Sequence, residues 1–93
     1  VLAGSSMGAF ISGEVAIAIG KAASAETSHP SARLLGLFLM APPIAMPGWW
    51  ATPLRVPEGL PTLVVHGWDD ELIPAQAVID WCAERKAELR LVL

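Results

Sequence analysis

Residues 1–10, VLAGSSMGAF, join a short apolar run to a cluster of small, turn-prone residues. Residues 1–3 are typical of the end of a buried strand, and residues 4–8 predict a tight turn directly after it. From Ala9 to about Ala23, strong helix formers and apolar residues recur at helical spacing, so the turn leads into a helix. A strand that turns directly into a helix is a building unit of α/β folds.

The rest of the chain continues this alternation. Residues 24–31 hold Ser, Thr, His and Pro and predict a loop, and the six prolines between positions 42 and 61 exclude a regular helix there. Further elements are predicted as follows: buried strands at 34–40 and 62–65, a helix from Pro74 to about Ala87, and a strand at 89–93. This order predicts an α/β fold with a parallel sheet, flanking helices and right-handed crossovers.

Composition argues against several classes of protein. Apolar residues make up 54% of the chain, which is too many for a disordered protein, yet no apolar run reaches the roughly 20 residues of a membrane span. Because the net charge is −3 and no run of Lys or Arg occurs, we expect neither nucleic acid nor membrane as a partner. The single cysteine, Cys82, excludes an internal disulfide and is compatible with the cytoplasmic location that we predict.

Residues 4–8, GSSMG, fit the pattern G-x-S-x-G between a strand and a helix. In that context the turn lifts Ser6 above the sheet as a nucleophile. The strained turn requires small residues two positions before and after Ser6, where larger side chains would collide, and Gly4 and Gly8 meet this requirement. The backbone N–H of Met7 is then placed to bind an oxyanion. The alternative is an ordinary Gly/Ser loop. A phosphate-binding loop is excluded because Glu14 stands where its lysine must be, and a dinucleotide fingerprint because Ser6 replaces its middle glycine.

Residues 66–74, HGWDDELIP, follow the third predicted strand, and here the chain resembles the α/β-hydrolase superfamily, particularly its small lidless, carboxylesterase-like esterases. The resemblance to the segment H-G-x-x-D-x-x-V-P implies that Asp70 is the acid of a Ser-His-Asp triad. Asp69 is its competitor, and the alternative for the acidic cluster is simple helix capping. His66 is interpreted as a structural residue rather than the general base. We interpret Cys82 as a core residue.

The resemblance implies a serine hydrolase whose catalytic histidine follows the fourth strand and is absent from these 93 residues. Residues 1–93 are therefore predicted to be a single partial domain without a lid insertion, continuing beyond both ends. We expect the remainder of the hydrolase fold as its partner, and no independent stability, because the first strand would be an unpaired edge. The expected substrates are small carboxylic esters or thioesters, with no cofactor and no metal.

Three tryptophans are candidates for the substrate pocket: Trp49, Trp50 and Trp68. Each of them is also compatible with an ordinary place in the core, and Trp81 is assigned to the core. The alternative function is a non-catalytic, hydrolase-like binding or scaffold protein without a complete triad.

Overall fold

A computed structural model describes residues 1–25, 34–44 and 53–92. Strands and helices follow one another in the predicted order. The elements are β1 (Leu2–Ser5), α1 (Met7–Ala25), β2 (Leu37–Met40), β3 (Thr62–Gly67), α2 (Ala75–Arg85) and β4 (Glu88–Val92). The strands form one parallel sheet in the order β1-β2-β3-β4, so the predicted α/β fold class is confirmed.

Both helices lie on the same face of this sheet. Each right-handed crossover advances in the same direction along the strand order, which places its helix on one common side. Side chains from α1, α2 and the strands accordingly share a single buried cluster. Its members are Ala9, Ala16, Leu37, Leu39, Leu54, Val64, Ile73, Val78, Trp81 and Cys82. The predicted core positions of Trp81 and Cys82 are confirmed.

The opposite face of the sheet is open in the described part of the chain. Phe38, Leu63 and Val65 point away from the buried cluster and are only half-buried, and Met40 is exposed. No described helix packs on this face, although parallel sheets are normally covered on both sides. β1 also pairs only with β2 among the described strands, so the predicted unpaired edge is confirmed.

Several element boundaries differ from the sequence prediction. β1 continues to Ser5 and α1 begins at Met7, so the predicted five-residue turn is Ser6 alone. β2 begins at Leu37 instead of residue 34. Pro74 is not the first helical residue, because its ψ of 138° is extended and its carbonyl accepts the first helical bonds. α2 ends at Arg85, since the next residue takes a left-handed conformation.

The segment before β3 packs across α1. Leu54 is fully buried, and a Cβ built on Gly13 would overlap the Arg55 carbonyl oxygen, so Gly13 allows the two backbones to touch. The Arg55 guanidinium binds the Glu14 carboxylate through two hydrogen bonds of 3.1 and 2.7 Å. These bonds lower the pKa of Glu14 and raise that of Arg55. The connection into β3 is thereby attached to the helix that follows Ser6.

Candidate active site

Ser6 occupies the sharp turn between β1 and α1 in a strained conformation. Its φ is +54°, a left-handed value that costs a non-glycine residue roughly 1 kcal/mol or more. The Ser6 N–H donates to the Met40 carbonyl at 2.8 Å, and the Ser6 carbonyl accepts from Ala9 N at 2.9 Å. These bonds hold the strained turn, and the side chain is exposed at the carboxyl end of β1.

The two glycines beside Ser6 have different structural roles. A Cβ on Gly4 would overlap the Gly8 carbonyl and come within 2.6 Å of the Ser12 Oγ, so Gly4 provides the space in which β1 and α1 meet. A Cβ on Gly8 meets no described atom within 4 Å. The collision predicted at Gly8 is therefore not found among the described residues. Gly8 contributes its carbonyl, which approaches Gly4 and accepts a hydrogen bond from Ser12 at 2.7 Å.

Met7 is the first residue of α1 and lies directly after Ser6. The first amides of a helix have no acceptor within it, and the helix dipole adds positive potential at this end. The Met7 N–H is therefore available beside the serine. Its side chain is 42% exposed at the same edge of the sheet.

Asp70 lies in the loop between β3 and α2, where one carboxylate oxygen is fully engaged. Its Oδ1 accepts the N–H groups of Leu72 at 2.9 Å and Ile73 at 2.8 Å. These amides precede α2, and no side chain caps that helix. Helix capping therefore does not explain Asp70. Its side chain is 25% exposed, and no described residue lies within hydrogen-bond distance of Oδ2.

His66, near the end of β3, is buried and faces the same loop. Its Nε2 lies 2.8 Å from the Ile73 carbonyl oxygen, and its Nδ1 has no partner among the described residues. The residue is only 1% exposed. This enclosure supports the interpretation of His66 as a structural residue.

Ser6 and Asp70 lie at the same edge of the sheet, because each follows the carboxyl end of a parallel strand. β2 separates β1 from β3, and two strand spacings amount to about 10 Å. The fold brings the two residues to one edge without direct contact between them. A bridging group such as an imidazole is needed to couple a serine to a carboxylate across that gap.

Apolar side chains surround this edge. Trp68, a predicted pocket residue, is 50% exposed after β3, and its backbone N–H donates to the Val92 carbonyl at 2.7 Å. Trp49 and Trp50 lie outside the described residues. Sequence reasoning missed Met40, which is 41% exposed at the end of β2, and Leu72, which is 57% exposed in the Asp70 loop. The position of Met40 at the end of a predicted strand, and that of Leu72 in the segment containing Asp70, could have indicated that both lie near the site.

Ala41, directly after β2, also has a left-handed backbone with φ of +46°. Its N–H donates to the Val65 carbonyl at 2.9 Å, next to the Ser6–Met40 bond. Two neighbouring strands therefore end in strained residues at the candidate site, as is common at functional sites. No feature of the sequence around Ala41 predicted this.

Similarity to known proteins is found among solved structures. No family model and no curated protein matches this chain. Among solved structures, a protein from Xanthomonas campestris pv. campestris assigned as a hydrolase of the alpha/beta superfamily matches with a TM-score of 0.70 and 38% identity. This chain is similar to an α/β hydrolase. The match covers 97% of this chain and 43% of the solved one, so the chain spans less than half the length of that hydrolase.

The identity of 38% over nearly the whole chain supports a similarity to the α/β-hydrolase superfamily in sequence as well as in fold. The similarity names no substrate and no reaction mechanism. Within the described residues, no helix has the length and apolar character needed to cross a membrane.

Proposed function

We propose that this chain is part of an α/β-hydrolase domain and that Ser6 is the nucleophile of a serine hydrolase. The observation that carries the proposal is the Ser6 backbone, which is strained at a strand-to-helix turn and leaves the side chain exposed beside the Met7 amide. Strain of this kind persists only where surrounding contacts maintain it, as the Met40 carbonyl does here. The 38% identity to a hydrolase of this superfamily supports the same function.

In the proposed reaction, the Ser6 Oγ attacks the carbonyl carbon of an ester. A histidine from the remainder of the domain accepts the serine proton and passes it to the leaving alcohol as the carbon–oxygen bond breaks. Asp70 holds that histidine and stabilises its charged form. The Met7 N–H stabilises the negative oxygen of the tetrahedral intermediate, and water then releases the acyl group from Ser6.

The remainder of the domain is the proposed partner of this chain. Two observations support it: the open sheet face with Phe38 and Val65, and the unpaired edge of β1. β4 ends beside Trp68, so residues that follow it emerge near Asp70, where the histidine is needed. The cytoplasmic location and the absence of a lid stay predictions.

Small carboxylic esters or thioesters are the substrates that we propose. The exposed apolar residues at this edge of the sheet are Met7, Trp68 and Leu72. An apolar surface of this kind suits an uncharged acyl or alcohol group. Trp49 and Trp50 stay candidate pocket residues from the sequence.

The test is covalent labelling of the full-length polypeptide with a fluorophosphonate, followed by intact-mass and peptide mass spectrometry. We expect one adduct on Ser6 that disappears in Ser6→Ala. Ser5→Ala is the matched control, because Ser5 is also exposed but belongs to β1 and lacks the strained turn. Folded protein that takes no label, or that is labelled equally in Ser6→Ala, would contradict the proposal and favour a non-catalytic scaffold.

A further inference from the structure

The loop from His66 to Ile73 is closed by two side chains that hold the same backbone residue. His66 Nε2 lies 2.8 Å from the Ile73 carbonyl oxygen, while Asp70 Oδ1 accepts the Ile73 N–H at 2.8 Å. Asp70 Oδ1 also accepts the Leu72 N–H at 2.9 Å. Ile73 is therefore held at both its N–H and its C=O, and its own side chain is buried.

The chemistry of these partners fixes the direction of each bond. A carbonyl oxygen only accepts, so His66 Nε2 must carry a proton and donate to Ile73. In a neutral imidazole with this tautomer, the unpartnered Nδ1 is the nitrogen that carries no proton. Asp70 Oδ2 lies 3.8 Å from Nε2, which is too long for a hydrogen bond. His66 and Asp70 thus share no hydrogen bond, and the residue that connects them is Ile73, which both side chains hold.

We propose that His66 is a positioning residue that selects which oxygen of Asp70 meets the catalytic histidine. By fixing Ile73, His66 keeps two amides on Oδ1, so the carboxylate cannot rotate and Oδ2 is the oxygen presented to the imidazole. This inference rests on the proposed role of Asp70 as the triad acid. A residue with only a structural role would satisfy the buried Ile73 carbonyl and affect stability alone.

The test compares three variants of the full-length polypeptide. His66→Gln places an amide N–H where Nε2 lies, and His66→Leu removes the donor. Val64→Ala is the matched control, because Val64 is a fully buried residue of the same strand that makes only apolar contacts. The measurements are kcat and KM for p-nitrophenyl acetate, well below the melting temperature of each variant.

We expect His66→Leu to lower kcat on the order of 100-fold, the loss associated with a misplacement of about 1 Å. KM should change by less than about twofold, because the contacts that bind the ester are retained. His66→Gln should restore most of the rate, and Val64→Ala should lower stability without lowering kcat. A folded His66→Leu with the wild-type kcat, or an equal loss in Val64→Ala, would overturn the proposal.

Nuclear magnetic resonance tests this inference separately from the proposed function. Because it uses the wild type and His66→Gln, it also tests the inference if His66→Leu does not fold. Long-range ¹⁵N–¹H spectra of the wild type should show the His66 proton on Nε2, and the Leu72 and Ile73 amides should exchange slowly. His66→Gln should keep that slow exchange. A proton on Nδ1 in place of Nε2, or fast amide exchange in the wild type, overturns the positioning role whether or not Ser6 is labelled. An unlabelled Ser6 with these signals intact leaves the loop geometry standing but overturns the proposed function, and with it the role of Asp70 toward a catalytic histidine.

Discussion

Replacing Gly4 by alanine tests the contact on which the geometry of Ser6 depends. The added Cβ would overlap the Gly8 carbonyl, and roughly 1 Å of separation is needed to reach the 3.0 Å that real Cβ contacts respect. The obstacle is backbone at the start of α1, which cannot rotate away as a side chain would. We therefore expect a loss near the upper end of the range for overpacking, about 3 kcal/mol in the free energy of unfolding. The same displacement at Ser6 should slow its labelling on the order of 100-fold.

The assay is urea unfolding of the full-length polypeptide together with the rate of fluorophosphonate labelling in native buffer. Gly8→Ala is the matched control, because Gly8 lies in α1 and its added Cβ meets no described atom within 4 Å. The control should be more stable than the wild type by up to about 1 kcal/mol, the helix preference of alanine over glycine. A Gly4→Ala protein with wild-type stability and labelling would refute the reasoning about this contact.

Further predictions concern strain, ion pairing and burial. Ala41→Gly should change the free energy of unfolding by less than about 1 kcal/mol, because relief of the left-handed strain offsets the added chain entropy. Ala41→Val should lose about 1–2 kcal/mol in urea unfolding, and equal stability of the two variants would exclude the strain. The Arg55 guanidinium lowers the pKa of Glu14 in the folded protein. The pair therefore stabilises the fold at pH values above the pKa that this carboxyl has in the unfolded chain. This stabilisation disappears as the pH falls through the lower pKa of the folded protein. Glu14→Gln should therefore melt below the wild type at neutral pH and low salt, with the gap closing in acid; a gap independent of pH would contradict this. Burial raises the pKa of the Cys82 thiol, so a disulfide reagent should modify it only in denaturant, and rapid modification of the native protein would be the contrary result.

The sequence was most informative where the structure is local. Apolar runs and helical spacing predicted the order of strands and helices, and the G-x-S-x-G spacing placed Ser6 at the turn. The burial of Trp81 followed from its place on the apolar face of α2. Boundaries were less accurate because ladder bonds extend strands beyond their apolar residues, as when β3 continues through His66 to Gly67.

Features that depend on residues distant in sequence were not predicted. The close approach of Gly13 to the Arg55 carbonyl joins two segments that are far apart in sequence, and no pattern in either segment predicts it. The left-handed backbone of Ala41 has the same cause, since its conformation is tied to the bond from its N–H to Val65 on the next strand. The sequence did not predict that Asp70 Oδ1 accepts two N–H groups of its own loop, because acidic residues before a helix usually indicate capping of that helix.

Ser6 and Asp70 reach one edge of the sheet by different means, and this difference bears on how the proposed site is assembled. The Asp70 carboxylate is held by the N–H groups of Leu72 and Ile73, two and three positions away, and the bond from His66 to the Ile73 carbonyl spans seven positions. Ser6 instead relies on the Met40 carbonyl of a neighbouring strand, and its strain has to be offset by that non-local contact. Because bonds between residues close in sequence close only short loops, the bonds that hold Asp70 depend less on distant contacts than the bond that holds Ser6. The geometry of Ser6 depends on correct pairing of β1 with β2. Disruption of that pairing would therefore displace Ser6 from its position at the turn, while the bonds that hold Asp70 would be retained.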